Sequence, residues 1–435
     1  MNQQTARVKI GVDLHNLSTR PDSSLRTGIQ QVVFALLRSQ QRLRQSFSDL
    51  NIEIRPLPML PLYYVDSRFT NLSPSHLNNS TVVLEEVSRE LCCSPVQLWS
   101  GGLDETCKNW SDDYFYEVCS DLDWLIITGL CEFRHIAEKL KKRNPKLKIA
   151  VLVYDLGPVK RPELVAHGMS QWFKDSYLES VRLYADLVFT ISRHTALDCK
   201  EYFSKWPNFN ASIWSTPLPP EPPALTDIDD NSIQEFLTRY GLKKNKYFVA
   251  IGTIEPRKNL AVAVLGFNRF CDLDSESTKD YRFIIIGKQG WRNEDTRLLE
   301  IIGSSADRFV FPGYLPRDEV ELAMLLSCGL LMPSRLEGFG LPIALAMNYG
   351  VPTVTCNNTS LPEAGHVRST FVTTSDPDLM ALALWRLSAN NREQAIPSRE
   401  ALFENHQHIA GLWDLYLKSW IDCIIGLGED SGSIA

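Results

Sequence analysis

The chain has 435 residues, of which 44% are apolar and 22% charged, so it exceeds a single hydrophobic core and has an ordinary globular composition. Its formal net charge of -7 argues against nucleic-acid binding as its main task. The ten cysteines include one adjacent pair and no C-x-x-C, a pattern that predicts reduced thiols and argues against a disulfide framework or a zinc site.

Apolar strands and amphipathic helices alternate along the first half of the chain. The predicted strands are Lys9–Leu14, Trp124–Thr128, Ile149–Tyr154 and Leu187–Ile191, and the predicted helices span about 28–40, about 134–143, a stretch ending near Tyr184 and a stretch opened by Ser192. The alternation indicates a parallel sheet with helices on both faces. Residues 42–123 are less regular and are interpreted as insertions without an assigned place.

Five prolines fall within the segment from Trp214 to Asn231. Such a run predicts a stiff, extended connector, which we interpret as a domain linker. A surface loop inside one domain is the alternative. The linker is favoured because the strand–loop–helix pattern restarts directly afterwards.

The second half repeats the alternation. Its predicted strands are Lys246–Ile251, Phe283–Gly287, Phe309–Gly313, Gly329–Met332 and Thr353–Thr355, and a helix over Ile409–Ile424 is apolar nearly all round. We expect domains at residues 1–215 and 216–405, with residues 406–435 packing back across both. The ligands of two such doubly wound domains bind in the cleft at the carboxyl ends of the strands. The same apolar helix could instead lie on a membrane surface, but it carries few cations.

The loop from Gly252 to Asn259 leaves a strand, enters a helix and carries Arg257 and Lys258. Two cations beside the free N–H groups of a helix N-terminus favour a diphosphate. A solvated basic turn is the alternative. The chain has no G-x-x-x-x-G-K-[ST] and no convincing G-x-G-x-x-G, which argues against a P-loop and against a nicotinamide site.

Glu337 lies where another strand passes into a helix, followed by Gly338 and Gly340. A carboxylate at this corner can accept hydrogen bonds from sugar hydroxyls and stabilise positive charge at an anomeric carbon. The alternative is a helix N-terminal Glu that interacts with the macrodipole. The glycines allow close approach of the backbone to a ligand.

Residues 240–370 resemble the donor-binding domain of the retaining family 4 glycosyltransferases, which have the GT-B fold. The similar segments are GTIEPRKN (252–259), IIGKQGW (285–291), FPGYL (311–315) with Asp318, PSRLEGFGLP (333–342), GVPTV (350–354) and NNTSLPEAG (357–365). The resemblance implies a GT-B architecture of two Rossmann-like domains facing a central cleft, and a metal-independent enzyme without a cofactor.

The resemblance also implies roles for individual residues of the second half. Arg257 and Lys258 would hold the donor diphosphate, in the loop that Gly252 begins. Glu337 would face the sugar. The remaining donor-binding residues would be those whose backbone meets the nucleobase (Gly313, Tyr314 and Leu315) and those whose amides line the sugar and phosphate pocket (Phe339, Gly340 and Leu341).

The first half resembles the family more weakly. Arg26-Thr-Gly-Ile-Gln30 is similar to the R-T-G-I-Q-R loop of bacterial enzymes that build surface polysaccharides, several of them mannosyl or rhamnosyl transferases. There Gly28 would let the loop approach the diphosphate, and Gln30 would join the donor site. Val153–Pro158 resembles a V-H-D-x-x-P segment in which Asp155 is retained and Tyr154 replaces the His. A Tyr can donate a hydrogen bond to the sugar but cannot copy imidazole acid–base chemistry near neutral pH.

A second departure falls at Leu345, where the family carries a Glu that binds the ribose hydroxyls. The loss of a charged acceptor would remove about 1.5–3 kcal/mol from donor binding. Three explanations stay open: the other donor contacts suffice by themselves, another residue replaces this one, or the chain is a non-catalytic relative. Because Glu337, Arg257, Lys258 and Gly28 are present, activity is favoured.

These observations predict a retaining glycosyltransferase that moves a sugar from a nucleotide-diphosphate donor, with GDP or dTDP as the guessed nucleotide, to a glycan or lipid-linked acceptor. A non-catalytic GT-B scaffold in a polysaccharide assembly and a sugar-nucleotide epimerase are the alternatives. The first residues lack a signal peptide's apolar core, and the longest nearly apolar run is too short to span a bilayer. We therefore expect a cytoplasmic location, with possible peripheral association at the inner face of the membrane.

Overall fold

The computed structural model describes residues 8–13, 28–57, 112–221, 224–225, 228–290, 294–365, 369–389 and 396–429. Thr27, whose spacing from Gln30 is that of a capping box, and the loop that begins at Arg26 lie outside these residues. Most of the irregular stretch 42–123 does so as well.

The first half of the chain forms a sheet of six parallel strands in the order β2-β1-β3-β4-β5-β6. The strands are β1 Val8–Asp13, β2 Ile52–Leu57, β3 Trp124–Ile127, β4 Lys148–Val153, β5 Leu187–Thr190 and β6 Ser212–Ser215. Every residue of β3 and β5 is buried, as expected for parallel strands with helices on both faces.

Helices connect these strands. They are α1 Gly28–Asp49, α2 Asp112–Val118, α3 Arg134–Arg143, α4 Gly157–Lys160, α5 Met169–Trp172, which continues through a π-helical stretch Phe173–Leu178 into α6 Glu179–Tyr184, and α7 Arg193–Phe203. The first helix is longer than its predicted span of about 28–40. Ser192 caps α7 as predicted, since its hydroxyl oxygen accepts a hydrogen bond from the Thr195 N–H.

The second half forms another six-stranded parallel sheet, in the order β12-β11-β10-β7-β8-β9. Its strands are β7 Tyr247–Ile251, β8 Arg282–Ile286, β9 Phe309–Gly313, β10 Gly329–Met332, β11 Thr353–Cys356 and β12 Ser369–Val372. Its helices are α8 Asp230–Tyr240, α9 Leu260–Leu273, α10 Glu294–Ile302, α11 Arg317–Leu325, α12 Leu341–Asn348, α13 Leu361–Gly365, α14 Pro377–Ala389 and α15 Arg399–Glu429. Two doubly wound α/β units are therefore confirmed.

The proline-rich segment between β6 and α8 is held against the second half by a buried carboxylate. Glu321 accepts hydrogen bonds from the backbone N–H groups of Ala224 (2.8 Å) and Leu225 (3.0 Å). The Tyr349 hydroxyl also donates to Glu321, at 2.6 Å. Arg317 pairs with Glu321 on the same helix (2.9 Å) and with Glu221 of the proline-rich segment (2.7 Å), so it bridges the two carboxylates.

The last helix, α15, contacts elements of both halves. The Trp420 ring stacks on Phe189 of β5 with centroids 4.3 Å apart, and Asp414 pairs with Arg42 of α1. The side-chain amide of Asn405 donates to the Asn348 carbonyl at 3.4 Å. Only one face is buried: Leu415, on the opposite face, is 63% exposed, although the helix sequence is apolar nearly all round. Among the described helices, none combines the length and apolar character needed to cross a membrane.

Candidate active site

The second sheet reverses its strand order between β7 and β10, which are adjacent although three β-strand connections separate them along the chain. A crevice forms at such a switch point, at the carboxyl ends of the strands. The loop that begins at Gly252 follows β7, and the loop that carries Glu337 follows β10. Their backbones meet where the Arg335 N–H donates to the Arg257 carbonyl at 2.8 Å. The two loops are therefore neighbours, as their shared place in the implied donor site requires.

The two cations of the first loop converge on the single carboxylate of the second. Lys258 Nζ lies 2.7 Å from Glu337 Oε1, and Arg257 Nη1 lies 3.0 Å from Glu337 Oε2. Glu337 and Lys258 are both buried. The structure thus places Arg257, Lys258 and Glu337 in one cluster, an arrangement that can share its positive charge with a bound anion.

Local backbone geometry sets the first loop. Pro256–Lys258 forms a 3-10 turn, and Asn259 follows with a φ of 54°. The side-chain amide of Asn259 donates to the carbonyls of Pro333 (3.0 Å) and Thr374 (2.7 Å), which compensates for the left-handed conformation. These bonds connect the loop directly to the end of β10.

Burial and the neighbouring charges shift the pKa values of Glu337 and Lys258 in opposite directions. Burial by itself would raise the pKa of Glu337, but the charges of Lys258 and Arg257 outweigh it and hold this pKa below its ordinary value. Burial lowers the pKa of Lys258, an effect that the Glu337 charge opposes. Burial raises the pKa of Glu255, whose carboxylate also pairs with Arg257. Two cations and two carboxylates therefore lie together.

The sequence interpretation overlooked Glu255, although it stands two residues before Arg257 in the same loop. That spacing was the available signal, since a carboxylate so close to a required cation can hold it in place. Glu255 is only 3% exposed. Its burial identifies it as part of the cluster's structure.

The Glu337 turn is supported from behind by the segment that precedes α13. The Ser360 hydroxyl lies 2.9 Å from the carbonyl oxygens of both Glu337 and Phe339, and the Glu337 N–H donates to Thr359 Oγ1 at 3.3 Å. Gly340, the N-cap residue of α12, has a φ of 115°, a region that favours glycine. Phe339 is buried, and Leu341 is the first residue of α12.

The first half contributes Asp155 to the neighbourhood of the cluster. Its carboxylate accepts a hydrogen bond from the Gly157 N–H at 2.7 Å, and burial raises its pKa while the Arg257 charge lowers it. The charge of Glu337 raises the same pKa. Asp155 is therefore within electrostatic reach of the cation pair, and its part in catalysis, which the resemblance implies, stays a prediction.

Tyr154 does not present its hydroxyl to the cleft, so the expectation that it can donate to a sugar was wrong. The side chain is buried, and its hydroxyl donates to the Thr128 carbonyl at 2.9 Å. A phenol has one proton to donate. Tyr154 instead holds the ends of β3 and β4 together.

The residues predicted to meet the nucleobase lie at the end of β9. Gly313 has a φ of 79°, and its carbonyl accepts from the Gly287 N–H at 2.8 Å. Tyr314 is 37% exposed, with the ammonium of Lys288 5.3 Å from its ring centroid. The side chain of Leu315 is buried. Contact of these residues with a base stays a prediction.

Gly28 and Gln30 lie in the first turn of α1. The side chain of Gln30 and the preceding loop are outside the described residues. Their approach to a diphosphate therefore also stays a prediction.

Solved structures share this architecture over almost the whole chain. A structure of Anabaena Alr3699/HepE in complex with UDP and glucose aligns with a TM-score of 0.57 and 12% identity, covering 97% of this chain and 99% of that one. A sucrose-phosphate synthase from Thermosynechococcus elongatus aligns with a TM-score of 0.56 and 13% identity, covering 97% and 99%. The fold is GT-B, as predicted.

Sequence comparison adds a family match in the second half. Residues 233–407 match the model of the family described as glycosyl transferases group 1, a range that contains the entire second sheet. Escherichia coli O-antigen chain mannosyltransferase B is 36% identical over 129 residues, which are 29% of this chain and 32% of that protein. The serotype-specific mannosyltransferase WbdA of Escherichia coli is 29% identical over 225 residues, which are 51% of this chain and 26% of that protein. The chain therefore spans about a third or less of the length of these curated relatives.

Proposed function

We propose that this protein is a retaining, metal-independent glycosyltransferase whose second half binds a nucleotide-diphosphate sugar and whose first half binds the acceptor. The observation that carries the proposal is the convergence of Arg257 and Lys258 on Glu337 at the switch point of the second sheet. The group 1 family match over the same residues supports it.

In this proposal the cation pair stabilises the leaving diphosphate. Charge builds up on the phosphate oxygens as the bond to the sugar breaks, and preorganised cations in a partly buried site stabilise such charge. Glu337 positions the sugar and stabilises positive charge at its anomeric carbon. The departing phosphate oxygen accepts the acceptor's proton, so no protein side chain has to act as a general base.

We propose mannose as the transferred sugar, because the relatives described above are named mannosyltransferases. GDP is the first nucleotide to test and dTDP the second. A glycan or lipid-linked acceptor is proposed on the same ground, since one relative is named for the O-antigen chain. Cytoplasmic placement at the inner face of a membrane would suit a lipid-linked acceptor.

A hydrolysis screen across GDP-, dTDP- and UDP-sugars tests the donor half of the proposal without an identified acceptor. We expect one class of donor to be cleaved, and Glu337→Gln to cleave it more slowly by a factor on the order of one hundred. Glu404→Gln, at an exposed position of α15, is the matched control and should cleave at the wild-type rate.

A non-catalytic GT-B scaffold is the second candidate, and Leu345 is the observation that favours it. The side chain is only 6% exposed and belongs to the apolar core, where the family resemblance implied a ribose-binding carboxylate. Calorimetry separates the two candidates, because a scaffold would bind none of GDP, dTDP and UDP. Release of an epimerised sugar nucleotide without acceptor would instead identify an epimerase.

A further inference from the structure

Helix α7 of the first half begins at the cleft, and a residue of the second half accepts its first hydrogen bonds. The backbone N–H of Arg193 donates to Glu363 Oε2 and that of His194 to Glu363 Oε1, both at 2.8 Å. The next N–H, that of Thr195, donates to the Ser192 hydroxyl at 3.0 Å. Glu363 itself belongs to α13, so it caps a helix across the cleft.

Glu363 belongs to the same short segment that supports the Glu337 turn. The Glu363 N–H donates to the Ser360 carbonyl at 2.9 Å, and the Ser360 hydroxyl contacts the Glu337 and Phe339 carbonyls. Ser360 is fully buried. A displacement of Glu363 is therefore transmitted through a few tightly bonded residues to the turn that carries Glu337.

The turn also contacts the first half directly, close to the start of α7. Thr195 Oγ1 lies 3.1 Å from the Tyr154 carbonyl and 3.5 Å from the Gly338 carbonyl. A Cβ on Gly338 would come within 2.5 Å of the Tyr154 carbonyl oxygen, so only glycine allows this approach. The Glu337 turn is thus enclosed between the two halves when Glu363 bonds to α7.

We propose that Glu363 is a positioning residue that latches the two halves of the molecule together and so fixes the Glu337 turn against the first half. A carboxylate that accepts two N–H bonds at a helix N-terminus gains both charge-assisted hydrogen bonding and the favourable macrodipole. The effect on sugar transfer rests on the proposed function. The closure of the two halves does not.

Arg193 offers a matched pair of variants for the test. Arg193→Pro removes one N–H that Glu363 accepts, yet proline is favoured at the first position of a helix and the preceding Ser192 is already extended. Arg193→Ala also removes the exposed side chain but keeps the N–H. Both variants therefore lack the guanidinium, but only Arg193→Pro also lacks a hydrogen bond to Glu363.

Small-angle X-ray scattering with GDP present measures the separation of the halves. We expect a larger radius of gyration for Glu363→Ala and Arg193→Pro than for the wild type and Arg193→Ala. The double variant with both changes should open no further than Glu363→Ala alone, because Glu363→Ala already removes both bonds to α7. The latch would be overturned if Arg193→Pro and Arg193→Ala had equal radii of gyration. It would also be overturned if the radius of gyration of Glu363→Ala equalled that of the wild type.

Kinetics with the donor identified by the screen separate positioning from donor binding. We expect Glu363→Ala and Arg193→Pro to lower kcat about tenfold while the Kd for GDP stays unchanged, since the donor groups lie in the second half. Glu363→Gln keeps one accepting oxygen, so its kcat should lie between those of the wild type and Glu363→Ala. Equal losses in kcat and GDP affinity would contradict a positioning role. If the wild type cleaves no donor, the proposed function fails while the scattering result still decides the latch.

Discussion

Gly252 lies directly against the side chain of Lys258: a Cβ built on Gly252 would come within 2.9 Å of Lys258 Cε. Gly252 also has a φ of 135°, which side chains other than that of glycine rarely adopt. The glycine therefore leaves the space through which the Lys258 ammonium reaches Glu337.

Gly252→Ala should weaken the cluster for both reasons, with a loss of about 1–3 kcal/mol in the free energy of unfolding and reduced affinity for GDP. Gly241→Ala is the matched control, because Gly241 has a φ of 62° but nothing within 4 Å of its Cβ. Urea denaturation and calorimetry measure the two effects. If Gly241→Ala weakened GDP binding equally, the contact with Lys258 would not be the cause.

Glu337→Ala should destabilise the protein by about 3 kcal/mol, because it leaves the buried Lys258 ammonium without its closest counter-charge. A nucleoside diphosphate that binds the two cations would supply negative charge again. GDP should therefore raise the melting temperature of Glu337→Ala by more than it raises that of the wild type. Equal shifts for the two proteins would argue against a diphosphate site at Arg257 and Lys258.

The sequence sufficed for nine of the twelve strands that the structure describes, missing β2, β6 and β12, and for the proximity of Glu337 to the cation pair, because strand periodicity and the order of a doubly wound sheet are local or topological properties. The sequence did not suffice to predict contacts between a side chain and a partner that lies far away along the chain. Glu363 caps a helix that starts at Arg193, and no local pattern distinguishes that from a cap on its own helix. The hydroxyl of Tyr154 likewise points to Thr128 because of how β3 and β4 pair, which a motif cannot encode.

Leu345→Glu tests whether the missing carboxylate weakens donor binding. If α12 presents this position to the ribose, the variant should bind GDP at least tenfold more tightly, since a hydrogen bond to a charged group contributes about 1.5–3 kcal/mol. Leu345→Gln, a neutral hydrogen-bonding counterpart, should gain less. A folded Leu345→Glu with unchanged GDP affinity would show that the position serves only packing.

Asp121 connects β1 and β2 to the turn before β3, through ion pairs with Lys9 and Arg55. The hydrogen bond from Arg55 lowers its pKa to about 2. A carboxylate with a depressed folded pKa stabilises the protein above its unfolded pKa of about 4 and loses that contribution as the pH falls toward 2. Asp121 is half exposed, so the contribution is below about 1 kcal/mol.

We therefore expect Asp121→Asn to melt below the wild type at pH 7 and the difference to shrink as the pH falls below 4. Thermal melts at a series of pH values follow this difference. A gap between the two proteins that did not change with pH would mean that the loss is steric and unrelated to the charge.

Glu321 should be the most sensitive of the carboxylates that hold the proline-rich segment. It is fully buried, and it accepts from two backbone N–H groups of that segment, from Arg317 and from the Tyr349 hydroxyl. Glu321→Ala leaves these donors and the Arg317 charge without their acceptor, which costs about 3–5 kcal/mol. Glu319→Ala, on the same helix, breaks a partly exposed pair with Arg239 and a hydrogen bond from the Tyr240 hydroxyl, and should cost about 1 kcal/mol. Urea denaturation of both variants measures the difference, and similar losses would show that burial of Glu321 contributes nothing beyond a surface ion pair.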